Sequence, residues 1–151
     1  MNQTILLVVV LLSLLVSAGV ALVIVRTGRR RALDRLEEVP GAVQRSIAAT
    51  SLGLESLGKG TLQGTGTLVL TDAEVAFAQW RPDRLIRIPR ASIVAVDTTR
   101  SHLDKTMNAD LLRIRWTSAD AGGEDVFVAF LRDLDPWLQD LGGTRTPVVD
   151  P

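Results

Sequence analysis

"GTGTLVLTDAEVAFAQWRPDRLIRIPRASIVAV", residues 64–96, is written in short apolar runs broken by turn residues. Thr67–Leu70 closes at Thr71-Asp72, Val75–Trp80 at Arg81-Pro82-Asp83, and Leu85–Ile88 at Pro89; Ile93–Val96 follows. Runs this short between such breakers predict strands rather than helices. Two more runs lie downstream, Leu111–Trp116 and Asp125–Phe130. In Leu111–Trp116 the side chains of Leu112, Ile114 and Trp116 alternate with Arg113 and Arg115. That period puts the three apolar residues on a core face and the two arginines towards water. The spacing predicts an antiparallel meander curled into a barrel or sandwich.

The segment after the last strand changes period. Leu134, Trp137, Leu138 and Leu141 fall at i, i+3, i+4 and i+7, one stripe of an amphipathic helix. Asp133 or Asp135 is placed to cap it, Pro136 suits its first turn, and Gly142-Gly143 ends it. Such a helix can close the open end of a barrel, each buried stripe residue being worth about 1.5–3 kcal/mol before entropy. The tail from 142 to 151 is expected to be disordered.

Upstream, residues 42–63, "AVQRSIAATSLGLESLGKGTLQ", show neither helical period nor clean alternation and read as a first strand or a linker. Before them Arg30–Val39 is rich in helix formers and runs into Pro40-Gly41. It extends a far more apolar element: Ile5–Val25 carries no charge and no proline. As a helix it is about 31 Å long, the thickness of a bilayer's hydrocarbon core. A cleaved signal peptide fits less well, because the run is too long, no positive residue precedes it, and the small cluster Ser17-Ala18-Gly19 lies inside it. The arginines Arg26, Arg29, Arg30, Arg31 and Arg35 all follow the span, so the N-terminus is expected outside and residues 26–151 in the cytoplasm, at the cell (plasma) membrane. The expected organisation is a transmembrane helix over 5–25, a basic helical extension over 26–41, the open stretch 42–63, a β-barrel with its closing helix over 64–141, and the tail.

Charge and composition exclude several classes of function. The formal net charge is zero, and beyond Arg35 there are 12 basic and 16 acidic residues, so a basic collar borders an acidic body. That distribution argues against nucleic acid as a partner. Without cysteine there is no thiol nucleophile, disulfide or thiolate metal site. The preference for Arg over Lys suggests a high-GC bacterial genome.

The order of segments resembles that of bacterial PH/GRAM-like (pleckstrin-homology-like) domains tethered to membranes. The likeness is carried by "GTGTLVLTDAEVAF" (64–77), "RLIRIPRASIVAVD" (84–97), "LLRIRW" (111–116) and "VFVAFLRDLDPWLQDL" (126–141). Within them Leu70-Thr71, Ile88-Pro89 and Trp137 match the family's pattern, and the likeness covers about residues 52–141. The resemblance implies a binding or adaptor module, not an enzyme, with no cofactor. Its best-known relatives bind phosphoinositides through Lys and Arg around the first two strands. Here "LGKGTLQGTG" (57–66) supplies only Lys59, a departure from that pattern.

The candidate sites are few. Arg81, Arg84, Arg87 and Arg90 recur at every third position and offer a basic surface for membrane lipids or an acidic partner. Period 3 does not match strand period 2, so the four cannot share one flat face, and a solvated hairpin is the plainer reading. The collar reads as a topology determinant in contact with headgroups. Trp80 beside Arg81 suits core or rim packing, a cation–π contact or a membrane interface. "TRSHLDKTMNAD" (99–110) reads as a surface loop; His102 near Asp104 and Lys105 lacks a nucleophile and oxyanion donors, and one histidine without cysteine makes no zinc site. The glycines of 58–66 precede no helix and do not form a phosphate loop. The expected function is a non-catalytic module at the cytoplasmic membrane surface, with no small-molecule substrate. The alternative is an accessory subunit of a membrane protein complex, contacting a protein partner through Ser17, Ala18 and Gly19.

Overall fold

The computed structural model describes residues 3–147: one long helix, a seven-stranded curled antiparallel sheet and a short closing helix. Helix α1 (Gln3–Leu36) is continuous, so the apolar run and the basic extension are one rod. From Ile5 to Val23 its large side chains stand clear of the domain, and Ile24 is half-buried beside it. This stretch is long and apolar enough to cross a membrane. The helix ends at Leu36, short of the expected stop at Pro40-Gly41. The N–H groups of Glu38 and Val39 bond the carbonyls of Arg35 and Leu36 three residues back, and this tightening turns Val39 inward.

Strands β1 (Val43–Leu54), β2 (Gln63–Thr71), β3 (Glu74–Gln79), β4 (Arg84–Pro89), β5 (Ile93–His102), β6 (Lys105–Ser118) and β7 (Gly123–Leu131) form one sheet in the order β4-β3-β2-β1-β7-β6-β5. Residues 43–54 are therefore a strand, and a central one. β1 pairs with β2 over Val43–Leu52 and with β7 over Ala49–Leu54, joining the two halves of the sheet. Its alternation is hidden because Leu52 and Leu54 face opposite sides and both are buried. A bulge at Ser51/Gly53 lets the strand change partners as the sheet curls.

The core lies inside the curl. Leu68, Leu70, Val75, Phe77, Ile88, Leu112, Ile114 and Phe127 are almost fully buried there, with the Phe77 and Phe127 rings 5.4 Å apart. Helix α2 (Asp135–Leu141) adds Trp137 and Leu138, and Leu134 just before it, to the same core; Leu141 packs against its edge. No side chain caps α2: neither Asp133 nor Asp135 takes the role, because Leu134 occupies the N-cap position in helical geometry and is drawn into the core. Gly142 ends the helix in the left-handed region.

Three further expectations change. Residues 99–110 are not a loop: β5 and β6 continue into a hairpin that turns at Leu103 and Asp104, both with positive φ. Its tip folds back on the β1–β2 connection. Lys105 bonds Gln63, Asp104 pairs with Lys59, and a Cβ at Gly53 would stand 3.4 Å from Leu103 Cδ1. Arg113 and Arg115 take the outer face, as the alternation predicts, but are half-buried there rather than fully in water. Nor is the tail disordered from 142. Thr144 N–H donates to Val96 O (3.1 Å) and Thr146 N–H to Thr98 Oγ1 (2.9 Å), which seats the chain along the free edge of β5. Residues 148–151 of the expected tail lie outside the described residues.

Candidate functional site

The feature with most consequence for function is where α1 meets the sheet. Ala32, Leu36 and Val39 bury themselves on the outer face of β2 and β3 against Val69, Ala76 and Ala78, with Trp80 and Leu85 at the margin. These sheet residues alternate with the core residues Leu68, Leu70, Val75 and Phe77, so β2 and β3 are apolar on both faces. That explains their continuous hydrophobic sequence. Arg35 Nη2 pairs with Asp83 Oδ2 at 3.1 Å, fastening the helix to the β3–β4 turn. At Gly28 the helix backbone comes close to the strand: a Cβ there would stand 3.0 Å from the Trp80 carbonyl oxygen.

Trp80 is half-buried and held at both ends. Its backbone N–H donates to Thr65 O (3.0 Å) and its indole Nε1–H to Thr67 Oγ1 (3.0 Å). Of its three sequence readings, rim packing describes its place. Buried Gln79 braces the same turn from within, its amide donating to the carbonyls of Gln63 and Arg81 at 2.9 Å each. Between this turn and α1 lies a cleft in two adjoining parts, about 310 and 240 Å³. Ile24 and Val25 form its apolar wall, Gly28 and Trp80 its floor, and Arg31 and Arg81 its rim.

The arginine series divides. Arg81 and Arg84 are exposed, and among the described residues neither forms an ion pair. Arg87 forks onto buried Glu74, with Nε–Oε1 at 2.7 Å and Nη2–Oε2 at 3.0 Å, and this bond raises its pKa further. Arg90 is half-buried. It donates to Thr71 O (3.2 Å), to Asp140 O at the end of α2 (3.1 Å) and to Gln44 Oε1 (3.3 Å). Two of the four thus hold the fold, and two project freely. In the collar, Arg26, Arg29, Arg30 and Arg31 are exposed on α1 without an ion pair among the described residues, whereas Arg35 is taken up by Asp83. The role of Arg35 as a clasp has no local signal, since Asp83 lies far along the chain.

His102 is buried at 9% exposure, not on the surface. Burial lowers its pKa, opposed by a hydrogen bond with the Gly53 backbone and by the charges of Glu55 and Asp125; Arg113 adds to the lowering. It belongs to the docking of the β5–β6 tip. Across the sheet, Arg113 forks onto Asp97 with both distances at 2.6 Å, a bond that raises the arginine's pKa. Lys59 is engaged with Asp104 beside the open end of the curl.

No family model matches the chain, and no curated protein matches it. Among solved structures, it is similar to the C-terminal domain of an unknown protein from Leishmania infantum. The identity is 14%, covering 74% of this chain and 89% of that one, with a TM-score of 0.50. At that identity the likeness concerns the fold alone. A helix with an open, curled antiparallel half-barrel is consistent with a pleckstrin-homology-like fold.

Proposed function

We propose that the chain is a single-pass membrane protein whose β domain, of the PH/GRAM-like kind, is a non-catalytic binding module working at the cytoplasmic face of the cell membrane. The observation that carries this reading is the continuity of α1. The rod that is apolar from Ile5 to Val25 packs Ala32 and Leu36 on the sheet and ties Arg35 to Asp83. A domain docked on its own anchor does not tumble beneath the membrane but turns a constant side to it. Arg81 and Arg84 then join Arg26, Arg29, Arg30 and Arg31 as one cationic surface at the end of the apolar run. Each basic side chain near an anionic bilayer contributes about 1 kcal/mol of attraction. Confinement to a thin layer also raises the module's effective concentration against membrane neighbours, so weak contacts suffice for binding.

The excess of arginine after the span sets the orientation. The test is a protease-cleavable tag fused behind Pro151. It should be protected in intact cells and cleaved in inside-out vesicles. Digestion in intact cells would overturn the reading.

A further inference from the structure

We propose that the cleft between α1 and the β3–β4 turn is a binding site for one anionic phospholipid of the same leaflet. Its phosphate lies between Arg31 and Arg81, and an acyl chain runs along Ile24 and Val25. The inference rests on the membrane-spanning reading of α1 and makes it more specific.

The cleft is amphipathic along the helix axis. Its apolar wall, Ile24 and Val25, consists of the last two residues of the uncharged run, and its cationic rim begins within two turns of them at Arg31. From Ile24 to Arg31 the helix rises about 10 Å, the distance over which a phospholipid passes from acyl chain to phosphate. The walls have few ways to move. Trp80 is fixed by its indole bond to Thr67 and its backbone bond to Thr65, and Gly28 sets the spacing of helix and strand. A tryptophan at the end of an apolar span also suits the headgroup boundary, where an apolar ring and a polar N–H are both accommodated.

Charge decides what the cleft takes. The carboxylate on its rim, Asp83, is already paired with Arg35. Arg31 and Arg81 face the opening with no carboxylate partner among the described residues. Two guanidinium groups beside an apolar wall match a phosphate monoanion on a hydrocarbon tail. They match a zwitterionic lipid less well, because its ammonium group would meet the same arginines. A soluble phosphate would leave the Ile24–Val25 side uncovered.

The experiment uses the full chain in nanodiscs made from equal parts of phosphatidylglycerol and phosphatidylcholine. The protein is extracted gently and the retained lipid read by native mass spectrometry. One phosphatidylglycerol per chain is expected, at least tenfold above phosphatidylcholine. Arg31→Gln/Arg81→Gln should reduce retention at least tenfold, and Gly28→Leu should do the same by pushing α1 away from the Trp80 carbonyl and deforming the cleft. Arg100→Gln, on the far strand β5, should leave it unchanged. Unfolding midpoints within a degree or two of wild type for the arginine variants would show that the fold is intact. Equal retention of the two lipids, unchanged retention in the double variant, or displacement by millimolar inorganic phosphate would each overturn the proposal.

A parallel measurement separates this failure from failure of the membrane-spanning reading. Lipids brominated high on the acyl chain should quench Trp80, identified by comparison with Trp80→Phe. Quenching without lipid retention removes the site alone, whereas absence of quenching removes the site and the membrane placement together.

Discussion

Two helices cover the same sheet, and they do so on opposite sides. α2 enters the concave side, where Leu134, Trp137 and Leu138 are part of the main core. Arg45 holds Asp140 at 2.7 Å and Arg90 caps the Asp140 carbonyl, which places a cation at the helix C-terminus. α1 lies on the convex side with a much smaller footprint, Ala32, Leu36 and Val39, and a single ion pair to the turn. The inner helix is therefore a component of the fold, without which the core is open. The outer helix is a docked part that orients a domain whose core is already closed.

The contrast is broken most severely from the inside. Trp137→Ala empties the largest fully buried side chain. It should cost about 3–5 kcal/mol, enough to unfold a domain of this size, as a denaturant midpoint would register. On the outside, Leu36→Asp should cost about 2 kcal/mol at most while leaving the β domain cooperative. Its signature is local: Trp80 emission shifts red and the β2–β3 face loses hydrogen-exchange protection. If it unfolded the domain as completely as Trp137→Ala, the division between inner and outer helix would be wrong.

Arg90→Ala sharpens the comparison at the α2 end. It leaves the carbonyls of Asp140 and Thr71 without their charged donor and should cost about 1–2 kcal/mol in the same titration. A smaller effect belongs to the tip of the β5–β6 hairpin, which rests on the β1–β2 connection. His102 has a lowered pKa because it is buried, so the unfolded chain, near 6.5, binds the proton more readily than the folded one. The stability contributed by neutral His102 is present above that pH and is lost as pH falls through the folded-state value. Protection factors at 101–106, taken relative to the intrinsic exchange rate at each pH, should therefore fall below pH 6.5, and His102→Gln should flatten that dependence. The charges that face the imidazole are Glu55, Asp125 and Arg113. Smallest of all, Arg84→Ala should leave stability within about 0.5 kcal/mol of wild type, since nothing described holds that side chain.

How much was legible in the chain follows the range of the interactions. Local periodicity marked six strands and α2, because breakers such as Thr71-Asp72 and Pro89 act on their immediate neighbours. It left β1 open between a first strand and a linker, because at its far end, Ser51–Leu54, successive residues are all buried once β2, β7 and the hairpin tip surround them. For the four regularly spaced arginines it offered a basic surface or a solvated hairpin, and neither reading could show that Glu74 takes Arg87 and the end of α2 takes Arg90. It placed His102 on a loop because the hairpin's fold-back depends on Gly53 and Gln63, about 40 to 50 positions earlier.

By itself, the sequence determined the elements whose physics is carried by neighbouring residues. These are an apolar rod long enough for a bilayer, the arginine border behind it, a series of short strands, and a final helix with one oily stripe. Only the tertiary structure decided which side of the sheet each helix covers, which arginines are spent on the fold, and that the rod rests against the domain beside a cleft. Those outcomes depend on Gly28 meeting Trp80, Arg35 meeting Asp83 and Arg90 meeting Asp140. Each pair is separated by tens of residues, and the curl of the sheet brings its members together.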